Sequence, residues 1–145
     1  MSKLVARVQR AFDSQFLAAL AITFVVEIGL SISTLPRLTK LFGIRLAGEG
    51  DDEPTGQEPD VAPEWFRGRS AAVHSVLRHW PFGDTCLRRS LILGQRIRRL
   101  DPVLVIGVRH DEHGKLAAHA WLTVGGVALD TLAEQYAPLR GLNET

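Results

Sequence analysis

The sequence predicts an α+β fold in which a helix packs on a small antiparallel sheet, preceded by an N-terminal helical region. Three observations predict it. Residues 4–46 are mostly apolar and helix-like, residues 86–100 (CLRRSLILGQRIRRL) form a second helix-like run, and residues 103–130 contain a strand and a hairpin. Helices and strands that occur in separate runs along a chain are typical of this class.

Length and composition fit one compact unit with an appendage. The chain has 145 residues and is 46% hydrophobic, which is enough to build a core. It has one cysteine, which excludes an intrachain disulfide and any multi-cysteine zinc or iron–sulfur site. A fold that stands without disulfides suits a reducing cytoplasm, so we expect a cytoplasmic protein.

The apolar N-terminal region raises the question of targeting. Residues 16–26 (FLAALAITFVV) are apolar, but Glu27 interrupts the run. An unpaired carboxylate in the middle of a membrane span is costly, and residues 26–33 (VEIGLSIS) make a poor signal-peptide cleavage site. We therefore expect a pair of buried or partner-covered helices, the first ended by Pro36. Attachment of this region to a membrane surface is the alternative.

An acidic segment is predicted to divide the chain into an N-terminal helical region (1–46), a flexible linker (47–64) and a C-terminal domain (65–145). The linker holds seven of the 16 acidic residues and neither Lys nor Arg, and it is rich in Gly and Pro. Without it, 17 basic and nine acidic residues remain, a net charge of +8. This surplus indicates solubility, or a surface that attracts an acidic peptide, a nucleic acid or a membrane.

The second half of the chain begins with two predicted helices. Apolar residues at i, i+3, i+4 and i+7 from Val73 indicate an amphipathic helix that Pro81 ends. Asp84 or Thr85 can cap the next helix, which begins near Cys86. Unpaired N–H groups and the helix dipole stabilise negative charge at such an end, and the thiolate is the reactive form of cysteine. This position favours Cys86 as a nucleophile.

A hairpin follows the apolar strand VLVIGVR and the turn HDEHGK, with Gly125–Gly126 as its two-residue loop. In this register Val124 faces Val127 and Trp121 faces Asp130. His119 then lies diagonal to Asp130 on the same face, within reach of its side chain. The sequence thus predicts a base and an orienting carboxylate side by side.

Each of these residues also has a structural interpretation. In that interpretation Cys86 is a small buried hydrophobic residue, His119 is a hydrogen-bonded core histidine, and Asp130 is the start of a turn. His110 and His113 are expected in a solvated turn and not in a metal site. Five arginines cover the Cys86 helix, where a solvated face is the default and docking of an acidic partner the alternative: Arg88, Arg89, Arg96, Arg98 and Arg99.

The segments CLRRSL, IGVR and AHAW, in this order and spacing, resemble the transglutaminase-like leader peptidases of lasso-peptide biosynthesis. The N-terminal EIGLSISTLPRLTKLFGIRL is also similar, so the likeness covers most of the chain except the acidic linker. The resemblance implies a papain- and transglutaminase-type cysteine protease that cuts the leader from a ribosomally made precursor peptide. In it Cys86 is the nucleophile, His119 the general base and acid, and Asp130 the residue that orients His119, with no metal or cofactor.

The resemblance also implies partners. In the family, a small winged-helix domain recognises the leader, and the apolar N-terminus of this chain lacks the strands of such a domain. The chain is therefore similar to the split form, which requires a separate leader-recognition protein, and the ring-closing cyclase is a second candidate partner for the apolar helix. No nucleic-acid module is visible.

Two other functions stay open at this point. The same triad could transfer an acyl group to an amine, as transglutaminases do. Alternatively Cys86 is structural, and the chain is a non-catalytic peptide-binding scaffold.

Overall fold

Helices and one small sheet account for most of residues 3–48, 64–130 and 132–139, the parts of the chain that the computed structural model describes. The α-helices are α1 (Lys3–Ile32), α2 (Leu35–Phe42), α3 (Glu64–Leu77) and α4 (Cys86–Arg96). The strands are β1 (Arg45–Leu46), β2 (Val103–His110), β3 (Leu116–Val124), β4 (Val127–Ala128) and β5 (Ala137–Pro138). The predicted α+β class is confirmed.

Strand β2 is the centre of the sheet, as its apolar sequence predicts. It pairs antiparallel with β3 along its whole length on one edge, while β1 and β5 share the other edge. β1 runs parallel to β2 and the other pairs are antiparallel, so the sheet is mixed. The sequence did not indicate β1, because a two-residue strand carries no periodicity of its own.

The β3–β4 hairpin has the predicted register. Val124 pairs with Val127, and the N–H of Leu129 donates to the carbonyl of Leu122 at 2.8 Å, which extends the pairing towards Asp130. Gly125 and Gly126 have φ of 59° and 78°, the left-handed conformation that a two-residue hairpin loop requires at both positions.

The helices cover one face of the sheet. Helix α4 lies against β3, with α1 and α3 packed outside it, and their buried side chains form one core with Leu104, Ala120 and Leu122 of the sheet. Helix α4 can approach Ile44 closely because Gly94 has no side chain. A Cβ at this position would lie 2.6 Å from Ile44. The opposite face has a smaller core, in which Trp121 is 1% exposed.

Two helix ends differ from the predictions. α1 ends at Ile32, and Pro36 lies in the first turn of α2, where its missing N–H costs no hydrogen bond. α3 ends at Leu77, and Trp80 follows in a turn before Pro81. Trp80 packs edge-on against Phe24 of α1, with 4.8 Å between the ring centroids.

Only the ends of the predicted linker can be described, because residues 49–63 lie outside the described part of the chain. Ala47 is buried, and its N–H donates to the carbonyl of Leu104 at 2.9 Å, while Glu64 begins α3. The flexible linker and the division into residues 1–46, 47–64 and 65–145 stay predictions.

Candidate active site

The side chains of His119 and Asp130 are in contact. His119 lies on β3, and its Nε2 is 2.8 Å from Oδ2 of Asp130, just beyond β4. Since a carboxylate only accepts hydrogen bonds, Nε2 is the nitrogen that donates. Nδ1 is left to accept a proton from another group. The hairpin therefore sets both the position and the tautomer of the ring.

Asp130 is itself held in place. Its second oxygen, Oδ1, accepts the backbone N–H of Leu132 at 2.7 Å. The Asp130 side chain is 26% exposed and that of His119 is 11% exposed, so the pair is partly shielded from water. A partly buried carboxylate whose two oxygens both accept hydrogen bonds is a rigid orienting group.

Aromatic rings enclose the imidazole of His119. Trp121 stacks with it at a centroid distance of 6.0 Å, and Tyr136 lies at 5.0 Å. Both rings reach this position because Gly107, opposite His119 on β2, has no side chain; a Cβ would lie 2.7 Å from Trp121 and 2.9 Å from Tyr136. Tyr136 was not among the predicted site residues, although a glycine inside a central strand indicates such a close approach.

Arg109 also contacts the ring of Tyr136. The guanidinium carbon lies 4.8 Å from the centre of the tyrosine ring, and Nη1 donates to Oε1 of Gln135 at 2.7 Å. Arg109, which belongs to the IGVR segment, therefore supports the histidine through Tyr136.

Cys86 is the first residue of α4, as predicted. Thr85 is the N-cap, and its hydroxyl oxygen accepts the N–H of Arg88 at 3.3 Å. Asp84, the other candidate cap, pairs with Arg89 at 2.7 Å. Among the described residues, the backbone N–H groups of Cys86 and Leu87 have no hydrogen-bond acceptor. They form a pair of donors beside the thiol.

A cleft of about 380 Å³ connects α4 with the histidine, and we call it the histidine cleft. It is lined by Phe66, Ser70, Arg89, Ser90, Leu93, His119, Trp121, Leu122, Leu129, Asp130 and Leu132. The Ser90 hydroxyl donates to the carbonyl of Ala120, next to His119, at 3.2 Å. This hydrogen bond fixes α4 beside the histidine.

The structure does not place the Cys86 thiol in hydrogen-bond contact with His119. Within the described residues its side chain makes no hydrogen bond, and it is partly buried at the edge of the helix core. It lies on the same face of α4 as Arg89, Ser90 and Leu93, one turn nearer the N-terminus. The thiol is thus next to the end of the histidine cleft, one helical turn from its lining.

The predicted solvated face of arginines is wrong for two of the five. Arg88 is 17% exposed and forms two hydrogen bonds with Glu27 of α1, at 2.8 and 2.9 Å, and Trp80 donates a third at 3.3 Å. The hydrogen bond from Arg88 holds the pKa of Glu27 below its ordinary value despite burial. Arg96 is also partly buried and contacts Gln15. Neither long-range contact is visible in a helical pattern.

The remaining histidines lie in exposed positions. His110 ends β2 and His113 lies in the turn that follows, where its N–H donates to Asp111 at 2.9 Å. His74 and His79 are exposed at the end of α3 and just after it. Among the described residues, no three His, Cys, Asp or Glu side chains form a group that could hold a metal ion.

Comparison with known protein families gives one match, to the transglutaminase-like superfamily over residues 24–141. The chain belongs to this superfamily. The match begins within α1 and includes the Cys86 helix, β2, β3 and Asp130. Comparison with curated proteins and with solved structures finds no match.

Membership in this superfamily accounts for the fold and indicates the type of reaction. The transglutaminase-like superfamily includes cysteine proteases and acyltransferases, and the mixed sheet covered by helices is consistent with a papain-like core. In addition, the segment Asp13–Ile32 of α1 is long and apolar enough to cross a membrane by length and composition. Helices of soluble cores and signal sequences meet the same criteria.

Proposed function

We propose that the protein is a cysteine endopeptidase that removes the leader from a lasso precursor peptide, with a separate leader-binding protein as its partner. The observation that carries the proposal is the 2.8 Å contact between His119 and Asp130 in a cleft walled by the Cys86 helix. Superfamily membership supports the type of reaction. The CLRRSL, IGVR and AHAW segments support the substrate class.

In the proposed mechanism each residue of the triad has a defined role. Asp130 holds Nε2–H of His119, so Nδ1 takes the proton of the Cys86 thiol. The thiolate attacks the carbonyl of the last leader residue, and the N–H groups of Cys86 and Leu87 stabilise the oxyanion. His119 returns the proton to the leaving amine, and water then hydrolyses the thioester. Catalytic hydrogen bonds such as that between Cys86 and Nδ1 often form only when substrate binds.

The exposed face of α1 supports a protein partner. Leu17, Phe24, Ile28 and Ile32 are more than half exposed and recur at helical spacing on one side of the helix. Apolar faces of this kind are used in docking between proteins. We propose that a cytoplasmic leader-binding protein covers this face, and the ring-closing cyclase or a membrane surface is the competing occupant.

Mass spectrometry of a precursor peptide incubated with the protein and its partner tests the function. A single cut at the leader–core junction is expected with the wild type and none with Cys86→Ala. His113→Gln, which changes an exposed histidine, serves as the matched control and should cut normally. A leader joined to an added amine would show acyl transfer. An intact cognate precursor with folded wild type would support the scaffold function, which the position of Cys86 outside the cleft lining favours.

A further inference from the structure

A second cleft, which we call the arginine cleft, lies at the C-terminal end of α4. It has a volume of about 570 Å³ and is lined by Arg69, Gln95, Arg96, Ile97, Arg98, Arg99 and Leu100. Four of these seven side chains are cationic and none is acidic. Within the described residues, no carboxylate pairs with Arg96, Arg98 or Arg99. Arg96, Arg98 and Arg99 therefore carry positive charge that no carboxylate of the described residues neutralises.

Arg96 shows that this charge is poorly compensated. Its Nη2 donates to the neutral side chain of Gln15, but its Nε is buried and has no hydrogen-bond partner. Burial, with the nearby charge of Arg69, lowers the pKa of Arg96 from its ordinary value. An unsatisfied donor on a partly buried cation is costly unless a ligand supplies the acceptor. The acceptor that suits a guanidinium best is a carboxylate or another oxyanion.

The arginine cleft lies along the same two helices as the histidine cleft. On α3, Ser70 lines the histidine cleft and its neighbour Arg69 lines the arginine cleft. On α4, Leu93 lines the first and Arg96 the second, and residues three apart lie on the same helix face. Both clefts thus run along the same two helices, and one extended peptide could occupy them together.

The length of α4 sets the distance between Cys86 and the arginine cleft. Cys86 opens the helix and Arg96 is its last residue, so they are about 15 Å apart at 1.5 Å per residue. An extended peptide covers about 3.3 Å per residue, so roughly four to five residues connect the two ends. The spacing is that of a specificity subsite remote from the scissile bond.

We propose that the arginine cleft binds an acidic side chain of the peptide substrate, roughly four to five residues from the bond that Cys86 attacks. The inference rests on the proposed peptidase function, because it concerns the peptide that Cys86 would attack. It predicts a preference that depends on charge and weakens with salt.

Fluorescence anisotropy with the Cys86→Ala protein tests the subsite without the thiol. The probe is a labelled Gly/Ser peptide with a run of glutamates, and the comparison peptide has glutamine at the same positions. The cleft variant is Arg98→Gln with Arg99→Gln, both exposed. The matched control is Arg37→Gln with Arg78→Gln, exposed arginines outside the cleft that give the same change in net charge.

The glutamate peptide should bind about tenfold more tightly than the glutamine peptide, and the cleft variant should lose most of this preference while the control keeps it. Equal binding of the two peptides, or equal losses in both variants, would overturn the proposal. If tripolyphosphate binds the arginine cleft and the glutamate peptide does not, the cleft is a site for a phosphate ligand and the proposal is overturned. The binding measurement uses the Cys86→Ala protein, so its outcome does not depend on whether the protein is a peptidase.

Discussion

Arg88 and Glu27 lie 61 residues apart in the sequence and form a two-point ion pair, with Nε to Oε2 at 2.8 Å and Nη2 to Oε1 at 2.9 Å. The pair joins the C-terminal part of α1 to the first turn of α4, two residues after Cys86. Each partner is 17% exposed, so the pair is largely desolvated. The N-terminal helix therefore helps to position the helix that begins at Cys86.

Glu27→Gln should destabilise the fold by about 3 kcal/mol at neutral pH, because it leaves a partly buried guanidinium without its counter-charge. The pKa of Glu27 is lowered in the folded state, so its stabilisation is complete above the unfolded pKa of about 4.3 and is lost as the pH falls through the folded value. Urea unfolding at neutral and acid pH measures both effects. Glu112→Gln, at an exposed turn position, is the control. Equal stability of the two variants at neutral pH would show that the ion pair is not stabilising.

His119→Gln should slow the alkylation of Cys86 by iodoacetamide at neutral pH at least tenfold if the histidine activates the thiol. The time course is followed by the mass of the intact protein. His113→Gln should react like the wild type. A wild-type thiol that stays inert would instead identify Cys86 as structural.

Asp130→Asn should lower the rate of precursor cleavage by roughly 10²- to 10⁴-fold, because it removes the charge that fixes the His119 tautomer. The amide oxygen can still accept the N–H of Leu132, so circular dichroism and thermal unfolding should change little. A variant that cuts at the wild-type rate would exclude Asp130 from the triad.

Gly107→Ala should destabilise the fold by about 1–3 kcal/mol and reduce cleavage, because the added methyl group would overlap Trp121 and Tyr136 beside the histidine. Gly68→Ala is the control, since it lies in α3 with open space around its Cβ position and should stabilise the helix by about 0.5–1 kcal/mol. Denaturant midpoints and cleavage rates compare the two. Unchanged stability of Gly107→Ala would show that the rings can move apart.

Ile28→Ser combined with Ile32→Ser should weaken binding to the leader-binding partner without unfolding the chain, because these side chains are 59% and 80% exposed. Pull-down with the partner and sedimentation with anionic lipid vesicles distinguish the occupants. Leu116→Ser, exposed on β3, is the control. If the double variant loses binding to the vesicles but not to the partner, the exposed face of α1 contacts a membrane surface.

The sequence predicted the local parts of the site and missed the long-range ones. The contact of His119 with Asp130 follows from the two-glycine loop and the period of two along a strand, and the position of Cys86 follows from its cap. The Glu27–Arg88 pair and the ring of Tyr136 beside His119 depend on how distant segments fold together. A helical pattern shows that Arg88 is charged, but it does not show which helix approaches it.

The position of Glu27 also restricts how α1 can meet a lipid bilayer. Ala19, Thr23 and Val26 are buried against the body of the protein, and Glu27 is joined to Arg88. A transmembrane orientation would pull these side chains away from α3 and α4 and place the carboxylate in hydrocarbon without its partner. The packing of α1 in this structure is therefore incompatible with a bilayer-spanning α1, and lipid contact in this conformation would be peripheral, with the helix lying parallel to the surface on its exposed apolar side.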